Sequence, residues 1–140
     1  RGMLREVTEI ESIGDSCYNL ARTINRKRSG GNDFTEKQYE HIHQMMQLTD
    51  DALAQMIAIV EDDYHVVDVN KTFNLENEIN NYRAQLKNQN VVDVNNKEYD
   101  YQMGVHYMDL IGECEKLGDY VVNVVEARTN VKEKKTGDNR

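Results

Sequence analysis

Apolar residues recur at intervals of three and four along most of the chain, the spacing of one face of an α-helix. Near the start the stripe is Val7, Ile10, Gly14, Cys17, Ala21 and Ile24, with Ile13 and Leu20 on its flank. It ends in Arg26-Lys27-Arg28, cations that favour a helix C-terminus, and is broken by Ser29-Gly30-Gly31-Asn32. A second stripe follows Asp33-Phe34-Thr35-Glu36, which has the residues of a capping box with Asp33 as N-cap and Glu36 at N3. That stripe reads Tyr39, Ile42, Met46, Thr49, Leu53, Met56, Val60, Tyr64 and Val67. It predicts a helix of about 33 residues, roughly 50 Å long. A third pattern starts at Asp68 or Asn70 and carries Phe73, Glu76, Ile79, Asn80, Arg83 and Leu86. It frays into Asn88-Gln89-Asn90, and Val91-Val92-Asp93-Val94 stays unassigned. The fourth starts at Asn95 or Asn96, with Asn95 and Glu98 placed as a cap. It runs through Tyr101, Val105, Met108, Ile111, Cys114, Leu117, Gly118, Val121 and Val125 to about Asn130. Tyr120 to Val125 has the composition of a strand, but its flanks are helical and no partner strand exists, so it reads as helix. Residues 131–140 read as a charged flexible tail.

Short connections between long helices force antiparallel neighbours. The expectation is an all-α, elongated up-down-up-down bundle of four long helices spanning 1–130. The total absence of proline agrees, since average usage is about 5% and helix interiors exclude it. A net charge of −8 argues against a nucleic-acid partner, because nothing offsets it against phosphate. The longest uncharged apolar stretch, Leu53 to Val60, is far short of the roughly 20 residues a bilayer requires, which argues against membrane insertion. Two cysteines, Cys17 and Cys114, suit free thiols in a reducing compartment. The apolar pattern is already running at Leu4 with no cap before it, which reads as a piece of a longer chain.

One internal repeat stands out. Glu11-Ser12-Ile13-Gly14-Asp15 on the first helix is matched by Glu115-Lys116-Leu117-Gly118-Asp119 on the fourth, and Asn19 by Asn123. Glu, Asp and Asn fall at i, i+4 and i+8, on one helix face. Carboxylates one turn apart repel by a few tenths of a kcal/mol on an exposed helix. Building the pair twice therefore calls for a positive partner, either Arg/Lys from a neighbouring helix or a metal ion. The preceding glycine costs about 1 kcal/mol of helix propensity and lets another group approach closely. Oxygen donors without histidine or thiolate suit hard cations. The competing reading is a solvated acidic face.

Glu-Ser-Ile-Gly-Asp and Glu-Lys-Leu-Gly-Asp, each followed by x-x-x-Asn, resemble the signature of the PhoU family. Those proteins are built from tandem three-helix repeats and regulate bacterial phosphate uptake. Such domains also form cytoplasmic C-terminal regions of Na⁺/phosphate symporters. The resemblance implies that residues 1–28 are the last helix of a first repeat and 33–130 a complete second repeat. It implies a non-catalytic regulatory domain, cytoplasmic and tethered to the inner face of the membrane. Its partners would be the transporter region of the same protein or phosphate-signalling proteins, with homo-oligomerisation as a further expectation. Family members with bound metal carry a multinuclear iron or zinc cluster on each repeat. Carried over, its ligands here are Glu76, Asn80, Glu115 and Asp119 in the second repeat, and Glu11 and Asp15 as a first half-site. Gly14, Asn19, Gly118 and Asn123 complete the motif. Asn80 replaces an expected acid in Leu75-Glu76-Asn77-Glu78-Ile79-Asn80, which removes a charge from the metal set.

Two other classes fit parts of the pattern. One is a structural or oligomerising bundle whose carboxylates bind Arg or Lys across an interface. The other is a di-iron carboxylate enzyme, suggested by Glu40-x-x-His43; its required second copy on another helix is missing, and Asp62-x-x-His65 lies on the same helix. The four histidines read as polar-face residues near helix ends, the methionines as core filler, and both cysteines as buried, inert thiols.

Overall fold

A computed structural model describes residues 2–29, 33–61 and 69–138, with side chains for 4–24, 33–61 and 69–129. It holds four helices: α1 (Gly2–Ser29), α2 (Glu36–Glu61), α3 (Asn70–Asn95) and α4 (Tyr101–Asp138). The expected extension of the second helix to Val67, with Tyr64 and His65, lies outside the described residues.

The helix ends have identifiable causes. At α2 the capping box is Thr35 and Gln38, two residues later than the Asp33/Glu36 box read from the sequence. The Gln38 N–H donates to Thr35 Oγ1 at 3.1 Å and the Thr35 N–H donates to Gln38 Oε1 at 3.0 Å, which satisfies two of the donors a helix start leaves open. Asp33 instead accepts from the Tyr39 hydroxyl. α3 takes in the unassigned valines and stops in a Schellman turn: Glu98 N–H donates to Asp93 O and Lys97 N–H to Val94 O, with Lys97 at φ 61°. α4 starts after Asp100, whose carboxylate accepts from the Met103 N–H at 2.8 Å. The expected Asn95/Glu98 cap therefore belongs to the preceding turn. The α4 backbone stays helical through Asp138, across the stretch read as a tail.

Cross-helix pairs fix the directions. Arg5 meets Glu126 and Asn123 meets Glu9, so α1 runs antiparallel to α4. Arg83 meets Glu115 while Gly118 lies against Ile79, so α3 also runs antiparallel to α4. His41 meets Tyr107 and Arg128 meets Val60 O, so α2 and α4 point the same way. The directions alternate up-down-up-down as expected, but the helices do not form a closed square. α2, α3 and α4 pack mutually, whereas α1 lies along α4, and its described backbone approaches neither α2 nor α3.

α4 is the hub. Tyr107, Leu110, Ile111, Cys114, Leu117, Val121, Val124, Val125 and Ala127 are all buried. A helix touched on several sides must be apolar nearly all round, which accounts for the valine run at 121–125. α2 buries Ile42, Met45, Thr49, Ala52, Met56 and Ile59, which keeps Ile42, Thr49 and Met56 of the stripe read off the sequence and replaces Met46, Leu53 and Val60 by the residue before each. α1 differs more. It buries Ile13, Ser16 and Leu20 against α4, and its richer stripe of Val7, Ile10, Gly14, Cys17 and Ala21 is exposed. A helix with one neighbour can cover one face only, and α1 carries two apolar faces.

Candidate functional site

The two copies of the repeated motif end up in different surroundings. The α4 copy forms a seam with α3. Its register is Glu76 beside Asp119, Ile79 against Gly118, and Arg83 with Glu115. A Cβ on Gly118 would stand 3.3 Å from Ile79 Cδ1, so this glycine is where the two helices close on each other. Glu76 is half-buried and faces Asp119 within hydrogen-bonding reach. Burial, followed by the charge and hydrogen bond of Asp119 and the more distant Glu126, raises its pKa above the ordinary carboxylate value. Arg83 Nε lies 3.5 Å from Glu115 Oε1, with both side chains about one-third exposed or less. Asn80 is half-buried on the same helix.

Successive steps of four residues turn a helix face by about 40°. Asn123 has therefore rotated away from α3 toward α1, where its amide donates to Glu9 Oε2 at 3.4 Å. The α1 copy faces the other way. Glu11, Gly14, Asp15 and Asn19 are all exposed, and open space surrounds the position of a Gly14 Cβ. The structure thus brings Glu76 to Asp119 and supplies Glu115 with a cation. It does not join Glu11 and Asp15 to that group.

A multinuclear iron or zinc cluster needs several carboxylates free to converge. Glu115 is engaged by Arg83, and Asn80 brings no charge. Among the described residues no group of three or more His, Cys, Asp or Glu is placed to hold a metal ion. This donor set does not fit such a cluster.

Other residues depart from their sequence readings. Cys114 is buried, and that burial pushes its thiol up to about 11, whereas Cys17 is exposed rather than buried. His41 is half-buried and hydrogen-bonds through Nδ1 with the Tyr107 hydroxyl at 3.0 Å. It belongs to a polar cavity of about 200 Å³ at one end of the bundle, together with Gln38, Asn90 and Tyr99. Sequence reading missed this cavity. Its signal was polar Gln38 in register with the buried Ile42 and Met45. Glu40 and His43 of the di-iron pattern are both exposed on α2, and Asp62 and His65 lie outside the described residues. No described helix is long and apolar enough to cross a membrane.

The described helices form an all-α bundle whose α3–α4 carboxylate seam closes at Gly118. The chain matches the PhoU domain family over residues 42–127 and belongs to it. That match covers α3, most of α2 and the buried part of α4. Comparison with curated proteins gives no match, and neither does comparison with solved structures. Membership indicates a regulatory role in phosphate homeostasis; PhoU domains are regulatory rather than catalytic.

Proposed function

We propose that this chain is the cytoplasmic regulatory part of a phosphate-uptake protein, tethered to the membrane-embedded region of a Na⁺/phosphate symporter in the same polypeptide. In this reading residues 1–28 close a first PhoU repeat and residues 33–130 form the second. The observation that carries it is the double-faced α1. One face packs on α4 through Ile13 and Leu20, and the other presents Leu4, Val7, Ile10 and Tyr18, which are 73, 48, 43 and 66% exposed. Contiguous exposed apolar patches of this kind mark interaction surfaces, and a helix apolar on both sides suits a position between two bundles. The domain acts by docking. A long rigid bundle changes its contacts with the transporter as phosphate supply changes, and no bond is made or broken on it.

The test is phosphate uptake by cells carrying the full-length protein with or without residues 33–130. The expected result is uptake that no longer falls when phosphate is plentiful. An unchanged uptake response would overturn the proposal.

A further inference from the structure

We infer that Arg83 is the built-in counter-cation of the α3–α4 carboxylate seam, so that this repeat is neutralised from within and takes no iron or zinc cluster. The inference is independent of any tether to a transporter. Three features of the seam carry it. Arg83 Nε sits 3.5 Å from Glu115 Oε1, so one of the oxygen donors that a cluster would need already has its cation. That Nε is shielded from solvent and has no hydrogen-bond partner, so Glu115 is its compensation. Removing Glu115 to a metal would strand a guanidinium that cannot shed its proton. Asn80, one turn before on the same helix face, offers a neutral oxygen where a carboxylate would have to balance a multiply charged ion. A guanidinium and a divalent cation held at the same carboxylate also repel each other strongly in a partly desolvated seam. The remaining pair, Glu76 and Asp119, are neighbours with Gly118 closing the helices beside them, and among the described residues no group of three His, Cys, Asp or Glu is placed to hold a metal ion.

The experiment measures metal content and thermal melting of the full chain after incubation with ferric iron or zinc and gel filtration. The wild-type chain is expected to carry substoichiometric metal and to melt at the same temperature with and without chelator. Arg83→Gln is expected to lower Tm by roughly 2–5 °C, with Arg83→Lys recovering part of the loss. Glu115→Gln added to Arg83→Gln should cost less than Glu115→Gln alone, because the pair is already broken. The double variant Asn80→Asp/Arg83→Gln restores an acid and removes the cation, so it is expected to retain metal that the wild type does not. Stoichiometric iron or zinc on the wild type, lost in Glu115→Ala and accompanied by a chelator-dependent fall in Tm, would overturn the inference. An additive double variant at 83 and 115 would also overturn it.

Discussion

Lys97 occupies a backbone conformation that its side chain resists. At φ 61° it is the left-handed residue that ends α3, and an L-residue with a Cβ pays about 1–2 kcal/mol there, a cost glycine avoids. Lys97→Gly should therefore stabilise the chain by about 1 kcal/mol, read as a rise in the urea midpoint with unchanged m-value. The two motif glycines should respond in opposite directions to alanine. At Gly14 a Cβ meets open space, so Gly14→Ala should gain about 0.5–1 kcal/mol of helix propensity. At Gly118 the Cβ presses on Ile79, which is fully buried and cannot move without disturbing a close-packed core. Gly118→Ala should cost about 1 kcal/mol after the propensity gain is subtracted. Equal stabilisation at both positions would show that the seam is looser than its geometry. The thiols separate by the same logic of surroundings. Burial holds Cys114 protonated up to about pH 11, against 9.0 when unfolded. Between those values the unfolded chain releases a proton the folded one keeps, so stability falls as pH rises through that window. Under native conditions at neutral pH a thiol reagent should modify Cys17 alone, and both cysteines in denaturant. In a longer protein containing the preceding repeat, Cys17 should become protected.

At the scale of the element, the two faces of α1 decide what was legible beforehand. The existence of all four helices is readable, because the three/four spacing persists in each and proline is absent, but the spacing lapses at 91–94 and beyond 130, where α3 and α4 nonetheless stay helical. The strand-like valines of α4 are helical, as their flanks imply. The buried face of α1 was not readable. Its outer stripe holds more apolar residues than its inner one, and pattern alone selects the richer stripe. The choice is made by α4, against which Ile13 and Leu20 fit. The same limit explains the helix starts. Asp33/Glu36 and Thr35/Gln38 both carry cap chemistry, and the backbone path of the loop decides between them. At the carboxylate seam the need for a cation beside Glu115 could be derived from like-charge repulsion. That the cation is Arg83 depends on how α3 and α4 are aligned, which no single-helix pattern contains. The face assignment makes a direct prediction. Ile13→Ala should destabilise the isolated chain by about 2–3 kcal/mol, since it empties a buried site. Ile10→Ala, three residues earlier in the more apolar stripe, should change stability by less than about 0.5 kcal/mol. Thermal or chemical denaturation of the two variants reads both, and a large loss from Ile10→Ala would mean that α1 is turned the other way.

For the whole molecule, the arrangement around α4 sets a gradient of stability. α4 contacts each of the other three helices, α2 and α3 support each other as well as α4, and among the described residues the α1 backbone approaches α4 alone. Opening a helix costs what its buried contacts supply, so local unfolding free energies should follow that order. Native-state hydrogen exchange of the isolated chain should show the slowest amides in α4 between Tyr107 and Ala127, where Ile111, Val121, Val124 and Val125 are fully buried. α2 and α3 should come next, and α1 should exchange fastest of the four. The same gradient separates the motif copies. Glu115 and Asp119 sit in the slow hub, whereas Glu11 and Asp15 ride on the helix that opens most easily. A partner covering the outer face of α1 would convert it from a one-sided to a two-sided helix, and its exchange should slow toward that of α2 and α3 while α4 changes little. If α1 instead exchanges as slowly as α4 in the isolated chain, its outer stripe is already covered in solution, and self-association through Leu4, Val7 and Ile10 becomes the explanation that sedimentation would reveal.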